Sequence, residues 1–217
     1  MRAHDAGTPL ISADRNLVVV CAIWAAALLA SAIAPNDRLT WFMEVLPVLI
    51  AAPVMIATRR RLPLTPLVYA LIAGHGLILI YGGAYTYAQV PAGFWLQEML
   101  GFSRNPYDRI GHLAQGFVPA MVARELLVRV FLIDGRRILF FLVVCVALAI
   151  SAFYELIEWW AALAMGGDAD QFLSTQGDVW DTQWDMFMAL CGALAAQWTL
   201  GGWHDRQLVR VEGAGAR

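Results

Sequence analysis

The sequence predicts an all-α polytopic membrane protein: a bundle of about six transmembrane helices forming one integral membrane domain over residues 1–217. Three observations predict it. The chain is 60% hydrophobic and only 15% charged, where soluble domains hold roughly 45–50% and 25%. Its apolar residues gather in runs near the ~20 residues that cross a bilayer. Three of the connections between those runs are short and carry arginine, and all fifteen basic residues are arginine, none lysine.

The first run is 17–34. It follows Arg15 and ends A-S-A-I-A-P, a superficial cleavage signal, but it has spanning length and Pro35 would directly follow the cut. It is read as a retained first helix. Pro35-Asn36-Asp37-Arg38 then leads to the second run, 41–57, and the Arg59–Arg61 triplet to the third, 66–87. Residues 88–109 form a longer connection, in which Phe94-Trp95-Leu96 with Met99-Leu100 suits a short interfacial helix. The fourth and fifth runs, 110–133 and 138–163, are separated by Asp134-Gly135-Arg136-Arg137. Residues 164–180 precede the sixth run, 181–202. The string G-G-D-A-D at Gly166–Asp170 is too short for a calcium loop.

Arginine placement sets the orientation. Arg2, Arg15, the Arg59–Arg61 triplet, Arg136, Arg137, Arg206, Arg210 and Arg217 fall on one side of a six-span chain. The positive-inside rule puts that side, and both termini, in the cytoplasm of a bacterial inner membrane. The acidic loop before Trp180 then faces outward, flanked by Trp159, Trp160, Trp180 and Trp184 at interfacial positions. A net charge of -2 with no basic stripe excludes nucleic acid as a partner and leaves membrane lipids. Cys21, Cys145 and Cys191 each lie inside an apolar run, with no disulfide or zinc spacing.

Polar residues interrupt three of the spans near the outward face. Asp108 and His112 are four apart, with Gln115 one turn on; Ser151, Glu155 and Glu158 share a face of the next span; Asp181 and Asp185 share one on the last. Below the last pair the stripe continues as Ala189, Gly192 and Ala196, small residues that let helices approach closely. Carboxylates and an imidazole at one depth cannot all stay charged and unpaired. Three resolutions are open: a divalent metal held by Asp108, His112, Glu155, Asp181 and Asp185; protons shared among Glu155, His112 and Glu158 as general acid and base; or arginine partners. Arg104 and Arg109 are close enough in sequence to neutralise the acids or, with Gln176, to grip a substrate head group. Asp178 also has the position of a helix N-cap, and Glu125 with Arg129 has the spacing of a local pair snorkelling toward the cytoplasm. His75, between Gly74 and Gly76, reaches the cluster only if its helix packs alongside. The chain has no G-x-S-x-G, H-E-x-x-H, P-loop or dinucleotide fingerprint.

The stretches Y-D-R-I-G-H-L-A-Q-G-F-V-P-A (Tyr107–Ala120), A-R-E-L-L-V-R (Ala123–Arg129), Y-E-L-I-E-W-W (Tyr154–Trp160) and T-Q-G-D-V-W-D-T-Q-W-D-M (Thr175–Met186) closely resemble the YjdF-type bacterial inner-membrane proteins. That resemblance covers most of the chain and implies a topology, not a reaction. A more distant likeness is to VanZ-like membrane proteins, associated with resistance to glycopeptide antibiotics. Their pattern runs D-K-x-x-H, E-x-x-Q, then R-x-x-D-x-x-x-D. This chain has Arg109 for the lysine, Glu158 for the glutamine and no arginine before Asp181. The likeness implies Asp108, His112, Glu155, Asp181 and Asp185 as a shared set, and the cell envelope as the setting.

The functional expectation is an outward-facing acidic/histidine site, metal-dependent or acid/base, acting on a lipid or lipid-linked envelope substrate. A proton- or cation-coupled transporter and a structural assembly partner clasped by polar helices are the alternatives.

Overall fold

A computed structural model of the chain describes residues 8–165 and 175–215. Arg2, Arg217 and the Gly166–Asp170 string lie outside the described residues. Seven α-helices and no strand are found among the described residues: α1 (Thr8–Ser31), α2 (Arg38–Thr58), α3 (Pro66–Tyr85), α4 (Pro91–Leu100), α5 (Tyr107–Arg129), α6 (Arg136–Met165) and α7 (Asp181–Gly215). A 3₁₀ turn at Tyr87–Gln89 joins α3 to α4.

Four helices are long and apolar enough to cross a membrane: α1 from Ala13, α2, α3 and α6 to Ala164. Helices α5 and α7 have spanning length too, 23 and 35 residues, but carry charges along it, among them Asp108, Arg109, Arg124 and Glu125 on α5.

Local chemistry sets the boundaries. Asp37 caps α2, its Oδ1 accepting from the Thr40 N–H at 2.7 Å. Thr65 caps α3 ahead of Pro66, whose missing N–H costs nothing at a helix start. Helix α3 stops at Tyr85, two residues short of the run expected from sequence, because Thr86 takes a left-handed φ of 57°. The interfacial segment forms as α4, with Trp95 and Met99 exposed, and ends where Gly101 turns left-handed at φ 69°. Helix α7 continues past the expected end at Gly202, because His204 and Leu208, one turn apart, are both buried. That burial outweighs the ~1 kcal/mol a glycine costs inside a helix.

The helices form two lobes. Helices α1, α2 and α3 enclose Leu17, Val20, Trp24, Val45, Val48 and Ile80. Helices α5, α6 and α7 enclose Met121, Val143, Ala147, Ala193 and Ala196, together with Leu67 and Val68 from α3. Helix α3 packs on α5 and joins the lobes, whereas the backbones of α2 and α6 do not approach closely. A seam is left between them. The tightest pair is α5 with α7. A methyl group added at Gly116 would run into the Ala189 carbonyl, and one at Gly192 into the Leu113 carbonyl. The small-residue stripe does what its spacing suggests: it brings two backbones, and the acids above them, together.

Candidate functional site

The site is built where α5 and α7 begin, and the loops before those helices assemble it. Asn105 is almost fully buried. Its Oδ1 accepts from the Tyr107 N–H at 3.0 Å, turning the chain into α5, and its Nδ2 donates to the Val90 carbonyl at 3.0 Å. Gln176 sits in a tight turn, with φ values of 50° there and 83° at Gly177. Its amide clasps the Asn105 backbone in both directions, at 3.1 and 3.0 Å. The two loops are thereby locked together, and Arg104 is held against the start of α7.

Two arginines meet the outermost acids. Arg104 donates to Asp181 Oδ1 at 2.7 Å and to the Thr175 carbonyl at 3.0 Å, and lies 3.5 Å from Asp108 Oδ2. Arg109 donates to Asp178 Oδ2 at 2.8 Å and Asp181 Oδ1 at 3.0 Å, and its guanidinium lies 5.4 Å from the centre of the Trp184 ring. Asp178 also accepts from the Trp180 N–H at 2.9 Å; that bond, then the arginines, hold its carboxyl below the usual carboxylate range. Of the three resolutions open to the acids, arginine pairing accounts for Asp178 and Asp181.

It reaches the neighbouring acids more weakly, with Arg104 3.5 Å from Asp108 Oδ2 and Arg109 Nε 3.5 Å from Asp185 Oδ1. Asp108, His112, Glu155 and Asp185 are all buried. His112 Nδ1 lies 2.9 Å from Gln115 Oε1. The amide oxygen can only accept, so Nδ1 carries a proton, and in the neutral ring Nε2 keeps its lone pair. That Nε2 faces Asp108 Oδ1 at 3.6 Å and Asp185 Oδ2 at 3.9 Å. Ligands held at ~2.1 Å from one cation lie roughly 3–4 Å from each other. Asp108, His112 and Asp185 therefore fit a divalent metal, their donor atoms all within 4.8 Å. His112, Glu155 and Glu158 form a second group meeting the same limit. Glu155 Oε1 lies 3.8 Å from His112 Nδ1, too far for a hydrogen bond. Glu155 Oε1 and Asp185 Oδ1 are buried without a hydrogen bond among the described residues; Asp185 Oδ1 has Arg109 Nε at 3.5 Å.

The cluster opens onto a cavity of about 150 Å³ at the top of the seam. Its walls add residues that spacing along the chain does not place there. Glu44, buried on α2, enters from the far side, with the hydroxyls of Tyr87 and Tyr154 interacting with its carboxyl. His75 lines the cavity from α3, its Nε2 buried without a hydrogen-bond partner. The sequence does carry a signal for Glu44: a lone carboxylate inside an apolar run. Glu158 is half-buried on the same wall.

A second polar cluster lies at the other end of α5. Glu125, fully buried, accepts from Thr65 N at 2.9 Å, Thr65 Oγ1 at 2.7 Å, Arg129 at 2.6 Å and His204 Nε2 at 3.1 Å. The Glu125–Arg129 pair is thus real, but it is enclosed rather than snorkelling. Arg124 donates to His204 Nδ1 at 3.0 Å and to Asp205 at 2.6 Å. Because a guanidinium only donates, His204 is neutral with its proton on Nε2, directed at Glu125.

Residues 16–206 match the family described as predicted membrane protein (DUF2238). The chain is also similar to the inner membrane protein YjdF of Escherichia coli strain K12, 62% identical over 183 residues, which cover 84% of this chain and 88% of that protein. No solved structure matches.

Proposed function

The chain belongs to the DUF2238 family of predicted membrane proteins, and from its site we propose an inner-membrane enzyme that uses a divalent cation and a buried carboxylate on a lipid or lipid-linked envelope substrate. Asp108, His112 through Nε2, and Asp185 hold the cation. When bound, it supplies Lewis-acid activation of a substrate oxygen or of water. Glu155, 3.8 Å from His112 and outside the arginine clamp, serves as the acid/base, with Glu158 beside it. Arg104 and Arg109 compensate Asp178 and Asp181 and bring positive charge to the rim, suited to an anionic head group. Gln176 acts by holding the rim together.

In this reading α5 and α7 also cross the bilayer, giving six spans with both termini cytoplasmic and the site facing outward. Arg15, Arg59–Arg61, Arg136, Arg137, Arg206 and Arg210 then share the cytoplasmic end, in accord with the positive-inside rule.

The observation that carries the proposal is the deeper cluster itself. A histidine nitrogen is aimed between two buried carboxylates, beside carboxylate oxygens with no hydrogen bond of their own. Buried polar atoms are rarely left so unless water or a bound ion completes them. A relay across the membrane is less well supported: between His75 and Glu125 the seam is lined by Val118, Pro119, Val122 and Leu126. The test is metal analysis of purified protein, wild type beside His112→Ala and Asp185→Ala, with cellular complementation by Glu155→Gln. Metal near one per chain that is lost in both variants, and failed complementation, are expected. Absence of metal from well-folded wild type after incubation with zinc, manganese or magnesium removes the cation from the proposal. Full complementation by Glu155→Gln removes the acid/base.

A further inference from the structure

We infer that the seam between α2 and α6 binds the hydrocarbon chain of a polar-headed bilayer lipid, whose head group lies in the acidic/histidine cavity; this rests on the substrate class proposed above. Three observations carry it. The cavity is not closed toward the membrane. Its walls Pro47, His75, Leu79, Pro119 and Ile150 also line an apolar furrow of about 510 Å³ that runs down between the lobes, within the ~300–1,000 Å³ usual for small-molecule sites. Pro47, Tyr154 and Glu158 are shared in turn with a second apolar groove of about 410 Å³ on the outer side of α2 and α6. A polar compartment thus continues directly into apolar ones, the shape of an amphiphile.

The furrow has the length for a chain. It extends beside α5 to Leu126 and Leu127. Its α5 lining runs from Val118 to Leu127, a rise of about 14 Å at 1.5 Å per residue, close to half the ~30 Å hydrocarbon thickness. It is also open at the side. The backbones of α2 and α6 do not approach closely and an apolar groove lies between them below Glu44 and Tyr154, so a lipid slides in from the bilayer without its chain passing through water. A water-soluble substrate would need no such furrow.

The electrostatics agree with the orientation. The furrow carries His75 at its upper end, next to the acids, and is otherwise almost wholly apolar, with Met55, Val122 and Leu126 along its length. The charged residues that meet the furrow are those of the cavity at its upper end, Glu44, Asp108 and Glu158, with Arg104 and Arg109 beyond them, paired with Asp178 and Asp181.

The test uses full-length protein in nanodiscs of phosphatidylethanolamine and phosphatidylglycerol doped with a phosphatidylglycerol carrying a diazirine on its acyl chain. Bulk lipid labels exposed positions such as Val18 and Leu29 on α1. Only a chain inside the furrow reaches Val118, which is 6% exposed, and Val122 beside it. Labelling of α5 at Val118–Leu127 is expected, reduced at least five-fold in Val54→Trp, which narrows the mouth, and in Val122→Trp, which fills the interior. Labelling at α1 should not change. Labelling confined to outer faces, or unaffected by both tryptophans, overturns the inference. Metal content of the same samples separates the two proposals. Furrow labelling without metal leaves the lipid site standing and removes the cation, whereas metal without furrow labelling removes the lipid site alone.

Discussion

Replacing Gln115 with leucine tests the site without touching a ligand. The Gln115 Oε1 bond to His112 Nδ1, at 2.9 Å, is what assigns the lone pair to Nε2, between Asp108 at 3.6 Å and Asp185 at 3.9 Å. Leucine is similar in size but accepts nothing. The imidazole is then free to carry its proton on Nε2 and to rotate away from the carboxylates. Outer partners of metal-bound histidines contribute about 10–100-fold to affinity, or about 1.4–2.8 kcal/mol. Gln115→Leu should therefore weaken binding by that factor, measured by chelator competition on the detergent-purified protein. Gln115→Glu keeps an acceptor and should bind at least as tightly as wild type. His112→Ala, which removes the ligand, should abolish binding. If Gln115→Leu binds as wild type does while His112→Ala does not, Gln115 does not set the tautomer, and His112 does not present Nε2 to the cation in the way proposed.

Other perturbations test the frame. Gly192→Ala should destabilise the fold by about 1–3 kcal/mol or more, since the new methyl meets the Leu113 carbonyl rather than a side chain able to move; a shifted unfolding midpoint in mixed SDS micelles would show it. Arg109→Ala strips a partner from the buried Asp181, and breaking a buried pair costs about 3–5 kcal/mol. Adding Asp181→Asn should recover part of that loss, and no recovery in the double variant would mean that uncompensated charge is not its cause. Glu125→Leu leaves Thr65, Arg129 and His204 without their acceptor. It should lower thermal stability by about 3–5 kcal/mol while metal content per folded chain stays constant.

Much of the fold is legible in the sequence because membrane helices obey two strong periodicities. Apolar run length locates the helices, and i,i+4 spacing puts Asp108 with His112 and Asp181 with Asp185 on common faces. What does not show are features that depend on which helices become neighbours. Glu44 reads as one carboxylate in an apolar run until α2 and α3 bring it to Tyr87. His204 lies beyond a boundary suggested by two glycines, and only its burial against α5 keeps the helix going. Glu125 and Arg129 have the spacing of a surface pair; nothing local says that Thr65, sixty residues earlier, will close over them. The seam is the extreme case, since it is defined by a pair of helices, α2 and α6, whose backbones stay apart.

The two polar clusters on α5 form an internal comparison. Both are buried, both pair α5 with α7, and both contain a histidine, carboxylates and arginine. At the Glu125 end a main-chain N–H, a hydroxyl, a guanidinium and an imidazole converge on one carboxylate, and His204 uses both ring nitrogens. That is how a membrane bundle stabilises ionisable residues when their task is to hold helices together. At the other end the same two helices place arginines on the outer acids and then leave Glu155 and Asp185 with oxygens that accept no hydrogen bond. A second histidine is turned so that its free nitrogen faces carboxylates rather than a donor. Ala189 and Gly192 supply no donor comparable to those that Thr65, Arg129 and His204 bring to Glu125. Those positions are instead kept small, so that α7 carries Asp185 close to His112. The geometry keeps open the space and lone pairs that a clasp would consume, which is the arrangement a cation and a reacting head group require.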